Sequence, residues 1–285
     1  MSSPSSSSLE SAGWSAAAMA NSNLTPIDHS SSRLQASASR FGSYLNERIR
    51  PNSFAELQLI LLTFCIGLQD AVSFPDFHCF ASNQTGNTVF LVLAIVLPEM
   101  NGEMFTTGNI GVALGLFLAA AWLTGQVGHI VGPRQRWWLI LCNFIQTALV
   151  FAAAALQYTA GVELTGDRTL VAIGLLASAA GSQVVLSRAL EMTEITTAMA
   201  TAAWLDLVID PSLFALRNRS RNRRVAFLGS LVLGTLVGAF IYKRIGSPAV
   251  LAVSGAGKLL VTVMFCFSGA EGNKTAGSEP GKEEV

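Results

Sequence analysis

Residues 55–98 read AELQLILLTFCIGLQDAVSFPDFHCFASNQTGNTVFLVLAIVLP. The first part, 55–75, is predominantly apolar and about 20 residues long, the length a helix needs to cross the hydrocarbon of a bilayer at 1.5 Å per residue. The pattern then breaks into Asn83-Gln84-Thr85-Gly86-Asn87-Thr88 and resumes as an apolar run, 89–97, too short to span alone. A full-length apolar helix, a polar break and a half-length helix describe a chain that crosses a membrane and then dips back into it. Irregular backbone is tolerated at that depth only where protein or a cavity surrounds it. The stretch predicts an all-α integral membrane fold.

The rest of the 285-residue chain agrees. Charged residues make up 13% and apolar residues 51%, with a mean hydropathy of +0.48. That charged share is about half of what a soluble surface carries, and a net charge of zero gives no electrostatic footprint for a nucleic acid. Further long apolar segments lie at 107–131, 137–158, 169–187, 225–242 and 248–268, and a second short one at 195–210 opens on Thr196-Thr197. The expectation is six transmembrane helices and two short broken or re-entrant ones.

The segments fall into two sets of four with the same order. Each set starts with a long helix holding Gly-x-Gln, at Gly67 and Gln69 and again at Gly181 and Gln183, 114 residues later. A Thr-rich break and a short helix follow. Next comes a helix with a small-residue face, Gly111/Gly115 or Gly234/Gly238, and a final long helix. This order reads as a two-fold internal repeat, with a first membrane repeat at 51–160 and a second at 161–270. If 84–98 and 195–210 dip and return, each half has three spans and the repeats are inverted. The N-terminal flank, Arg134/Arg136 and the cluster Arg217, Arg219, Arg221, Arg223, Arg224 then share the cytoplasmic side, and loops 99–106 and 159–168 face outward. The arginine cluster is read as a topology determinant with a capacity to attract anionic lipid.

Both ends differ from this core. Residues 1–50 are Ser-rich with few large apolar side chains until a short juxtamembrane stretch, and 271–285 are polar. Both tails are expected to be disordered, the first as a solvated cytoplasmic tail, with a mitochondrial transit peptide as the second reading. The four cysteines, Cys65, Cys79, Cys142 and Cys266, are widely spaced, which suggests neither a zinc site nor a disulfide framework.

Residues 65–74, CIGLQDAVSF, and 80–90, FASNQTGNTVF, resemble the YoaK-type family of multi-pass membrane proteins, a domain of unknown function. The resemblance rests on Gly67, Asp70 and Ala71 of a G-x-x-D-A helix, then Phe80, Asn83, Thr85, Gly86 and Asn87 of an F-x-x-N-x-T-G-N segment. In the second half Gly181, Gln183, Thr196, Thr197 and Thr201 are similar to the family's second block, although Ala202 stands where a glycine often follows the threonine. The resemblance covers roughly 54–268 and implies membrane placement rather than a substrate.

Polar groups inside hydrocarbon are costly unless paired, so their positions are the candidates for function. A half-helix beginning within the membrane offers free backbone N–H groups and a positive dipole end, which favours an anion or a carboxylate-bearing solute. Candidate solute-binding residues are Gln69, Asp70, Asn83, Thr85, Gly86 and Asn87 in the first half, and Gln183, Thr197 and Thr201 in the second. Lys258, near the centre of the last segment, is expected to pair with a carboxylate, Asp70 first and Asp206 second. Ser254-Gly-Ala-Gly-Lys258 is not a phosphate loop, because Ala252 and Leu259 replace the glycine and hydroxyl residue that motif requires. No nucleophile–base or metal-ligand arrangement is evident in the sequence, and no enzyme activity, cofactor or metal is expected. The reading is a transporter or permease for a small polar solute, with an anion favoured by the half-helix ends. The alternative is a non-transporting scaffold that binds lipid or partners.

Overall fold

Asn52 starts the first long helix by accepting a hydrogen bond from the Ala55 amide, 2.9 Å away, on its side-chain oxygen. Such a cap satisfies one of the N–H groups a helix start leaves free. The helix, α1 (Ser53–Phe77), ends where His78 adopts a left-handed backbone at φ 50° and returns its amide to the Phe74 carbonyl. Among the described residues seven more α-helices follow: α2 (Gln84–Val96), α3 (Thr107–Val131), α4 (Arg136–Ala160), α5 (Asp167–Ala189), α6 (Ala200–Val208), α7 (Arg219–Ile245) and α8 (Ser247–Cys266). This is a computed structural model, describing residues 40, 42–195, 197–215 and 217–271. Two units separate by their contacts, 1–45 and 46–285. The first is described only by part of a short helix ending near Leu45. Of the tails expected at 1–50 and 271–285, residues 1–39, 41 and 272–285 lie outside the described residues, as does Thr196.

Among the described residues six helices, α1, α3, α4, α5, α7 and α8, are long and apolar enough to cross a membrane. Their ends sort onto two faces. At the first, the Ile49 amide donates to Arg134 (2.9 Å), the Arg50 amide to Gly269 (3.0 Å) and the Arg136 amide to Glu47 (3.0 Å). The start of α1, the α3–α4 turn and the end of α8 therefore meet there. Glu194, after α5, accepts from Ser220 and Arg223 at the start of α7 and so joins the same face. At the opposite face Asn109, near the start of α3, donates to the carbonyls of Phe77 (2.8 Å) and Leu164 (2.9 Å). Ile49, in the short juxtamembrane stretch before α1, is fully buried.

The short helices do not cross. After α1 the chain turns at His78 and runs back until Ser82 reaches Asp70, and α2 then returns to the face where α3 begins. On the other side α6 ends beside Arg224 near the start of α7, through Asp206 and Asp210. Both short helices begin inside the bundle and end at the face from which the chain entered, the course the polar breaks predict for re-entrant helices.

Glycines permit the closest helix contacts. A side chain on Gly67 would place its Cβ 2.5 Å from the Leu231 carbonyl of α7, and one on Gly234 would collide with the Phe64 carbonyl of α1. On the other side of the bundle Gly181 of α5 lies directly against the Phe117 backbone of α3. The expected face at Gly111 and Gly115 does not serve this role. Both residues are exposed and nothing lies within 4 Å of where a Cβ would be. The α3–α5 contact draws its small residue from α5 instead.

The arginine cluster also differs from a free lipid-facing patch. Arg219 and Arg223 both pair with Glu56 of α1, and Arg223 also with Glu194 at 3.3 Å. Arg224 pairs with Asp210 at 3.3 Å, while Arg221 donates to the carbonyls of Leu213 and Ala215. These bonds tie α7 to α1 and to the loops beside α6; Arg217 is exposed.

Candidate functional site

The start of α2 is fixed by its own amides. Asn87, fully buried, accepts from the Phe80 N–H at 2.9 Å and donates to the Phe80 carbonyl at 2.7 Å and to Gln84 Oε1 at 2.8 Å. Asn83 caps the helix by accepting from the Gly86 amide at 3.4 Å. Gly86 is flat enough for the Phe80 ring to lie 3.0 Å from where a Cβ would sit. Phe80 in turn stacks on Phe74, with centroids 5.1 Å apart. Asn87 thus staples the break, and it does not line the cavity beside it.

With this loop fixed, a cavity of about 790 Å³ opens between the two re-entrant helices. Asp70, Ser82, Asn83, Thr85 and Gly86 line it from one side, and Ala198, Ala200 and Thr201 at the start of α6 from the other. Phe117, Val184 and Leu231 supply apolar wall, and Arg188 of α5 also contributes. The N-terminal ends of α2 and α6 therefore approach one space from opposite faces. Asp70, Asn83, Thr85, Gly86 and Thr201, expected from the sequence, are brought together here. Ser82 and Arg188 were not anticipated. Thr197, buried and in a left-handed conformation at φ 58°, precedes α6 and does not line the cavity.

Gln69 and Gln183 belong to a second, fully buried polar cluster. Lys258 donates to Gln183 Oε1 and, at 3.5 Å, to Gln146 Oε1. Gln183 Nε2 donates to the Leu62 carbonyl (3.1 Å) and Gln146 Nε2 to Ser182 (3.1 Å). Asn143 donates to the Lys258 carbonyl and to Thr262. Gln69 Nε2 reaches Ser254 at 2.9 Å, whose hydroxyl reaches the Cys65 carbonyl. The cluster links α1, α4, α5 and α8 at the centre of the bundle.

The expected ion pair is not formed. Asp70 is held by Ser82, Asp206 lies 3.9 Å from Arg224, and Lys258 meets amide oxygens instead of a carboxylate. Carboxamides can stand in because several oriented dipoles together stabilise a buried ammonium. Asn143 and Gln146 were legible as polar residues within the apolar 137–158 segment. Also unanticipated is Asp76, which accepts from Tyr242 at 3.0 Å and Gln157 at 3.2 Å and ties α1, α4 and α7 at the face opposite the arginines. Among the described residues no three His, Cys, Asp or Glu side chains converge as metal ligands.

Residues 58–264 match the family described as "Protein of unknown function (DUF1275)". The chain belongs to the DUF1275 family. The matched region holds the whole cavity wall, both re-entrant helices and Lys258, and the YoaK-type resemblance accords with it. No curated protein and no solved structure matches this DUF1275 chain.

Proposed function

We propose that this multi-pass DUF1275 protein is a secondary transporter or permease for a small polar solute, and not an enzyme. The observation that carries the reading is the cavity bounded at once by the N-terminal ends of two half-helices that enter from opposite faces. Discontinuous helices meeting near mid-membrane are the recurring way to bind a solute and to rock two halves about it.

The helix pairings support an inverted repeat with halves at 51–160 and 161–270. The most extensive contacts are α1 with α7 and α5 with α3; α8 packs on α1, and α4 on α5; α2 rests on α3, and α6 on α7. Exchanging the first four helices with the last four turns each of these pairs into another. The face holding Arg48, Arg50, Arg134, Arg136 and the 217–224 cluster is the cytoplasmic one by the positive-inside rule. Glu56 with Arg219 and Arg223 would close that face, and Asp76 with Tyr242 and Gln157 the opposite one. Reconstituted vesicles offered a mixture of small metabolites test the reading: uptake above protein-free vesicles that saturates is expected, and none in any fraction would refute it. The scaffold alternative has the open Gly111/Gly115 face of α3 in its favour, and it predicts no flux.

A further inference from the structure

One carboxylate stands in the cavity wall without a countercharge. Asp70 lies seven residues before the end of α1, about 10 Å along the helix, and among the described residues it receives hydrogen bonds only from Ser82. None of the ion pairs among the described residues involves it. The cavity's other charged residue, Arg188, is too far away to neutralise it. The hydrogen bond from Gln183 to the Leu62 carbonyl registers α5 against α1, which run in opposite directions. From that level Asp70 is eight residues toward one face and Arg188 five toward the other, roughly 20 Å apart along the axes. The Arg188 guanidinium sits on the exposed side and donates to Met199 Sδ at 3.3 Å.

A carboxylate in a low-dielectric wall is costly unless a cation reaches it. The surroundings discriminate among cations. A hard metal ion takes six or more oxygens at close range, and among the described residues the one side chain hydrogen-bonded to Asp70 is Ser82. The cavity, about 790 Å³, falls in the range of small organic ligand sites. Phe117, Val184 and Leu231 give it an apolar wall, and Thr85 also lines it.

We infer that Asp70, which exchanges its Ser82 hydrogen bond for an incoming cation, is the recognition point for the ammonium group of a solute with a compact apolar body. The identification rests on the transporter reading for its use of the cavity, and it replaces the expectation of an anion. The half-helix ends remain available to any polar group elsewhere on the solute.

The test uses the full chain purified in lipid nanodiscs, with binding followed by thermal unfolding. Isoamylammonium is the probe, with isoamyl alcohol as neutral isostere, isovalerate as the anion and sodium against choline as the metal arm. Saturable stabilisation by isoamylammonium alone is expected, weakened about tenfold or more in Asp70→Asn, as suits the loss of a charged partner. Ser82→Ala keeps the charge and removes a competing donor, so it should bind at least as tightly as the parent chain. That second variant decides the matter if Asp70→Asn does not fold. Equal stabilisation by the alcohol, no stabilisation by isoamylammonium, retention in Asp70→Asn, or tenfold weakening in Ser82→Ala overturns the inference. A sodium effect lost in Asp70→Asn overturns it in favour of a metal ion. Asp70-dependent binding without flux of labelled isoamylammonium into vesicles would leave the ammonium site standing and refute transport instead.

Discussion

The Ser82 hydroxyl lies 2.7 Å from both carboxylate oxygens of Asp70, twelve residues earlier in the chain. This contact means that the chain, having left α1 at His78, has already come back to the depth of Asp70 before α2 begins. A spanning α2 would have carried residues 98–106 to the far face; the Asp70–Ser82 contact and the return of α2 bring them back to the near one.

Single cysteines at Glu103 and Val162 are therefore predicted to label from the same side of the membrane, and cysteines at Pro133 and Asn222 from the other. These exposed positions avoid the positive-φ glycines of the same loops. Impermeant thiol reagents on sealed and opened vesicles provide the check. Glu103 sharing a side with Pro133 would make α2 a true span.

Lys258 and Asp70 should behave as independent residues. Lys258→Met strands the Gln146 and Gln183 oxygens, at a cost of about 1–3 kcal/mol for each unsatisfied group. Adding Asp70→Asn should give no rescue, with a coupling energy inside about 0.5 kcal/mol in a double-mutant cycle of unfolding. A buried ion pair would instead show a coupling of several kcal/mol.

The glycines divide by what they touch. Gly67→Ala and Gly181→Ala each force a Cβ into the backbone of a neighbouring helix, and overpacking of this kind costs about 1–3 kcal/mol. Gly111→Ala and Gly115→Ala meet open space and should leave thermal stability unchanged or raise it slightly through better helix propensity.

That contrast shows where sequence reading reached and where it stopped. The six spans and both half-helices were legible because their signals, apolar length and a polar break, are local. The break at 83–88 supplies Asn83, Thr85 and Gly86 to the cavity wall, while Phe117, Val184, Arg188 and Leu231 carry no such signal. Which GxxxG face meets a neighbour is decided by helix rotation, and Gly111 and Gly234 look alike in sequence while only Gly234 is covered. Lys258 announced a need for compensation, but the compensating groups, Gln146 and Gln183, come from two other helices and carry no charge to search for. Arg188 at a helix end looked like any interfacial arginine until α6 folded back beside it.

Thr85 and Asn87 are expected to separate function from folding. Thr85→Val changes the cavity edge and should lower solute flux while the chain still folds and inserts. Asn87→Ala removes three hydrogen bonds, at about 1 kcal/mol each, and should lower the melting temperature before any effect on flux is separable. Parallel flux and unfolding measurements on the two variants provide the comparison.

The most direct test of the central claim, that the cavity between α2 and α6 opens alternately to both faces, needs no knowledge of the solute. A single cysteine replaces Thr201 in a chain whose Cys266 is serine, the other native cysteines being buried. A small impermeant thiol reagent is then applied to one face or the other of oriented vesicles. Alternating access predicts labelling from each face in turn, with isoamylammonium changing the ratio of the two rates. Labelling confined to one face, with and without that probe, would contradict it.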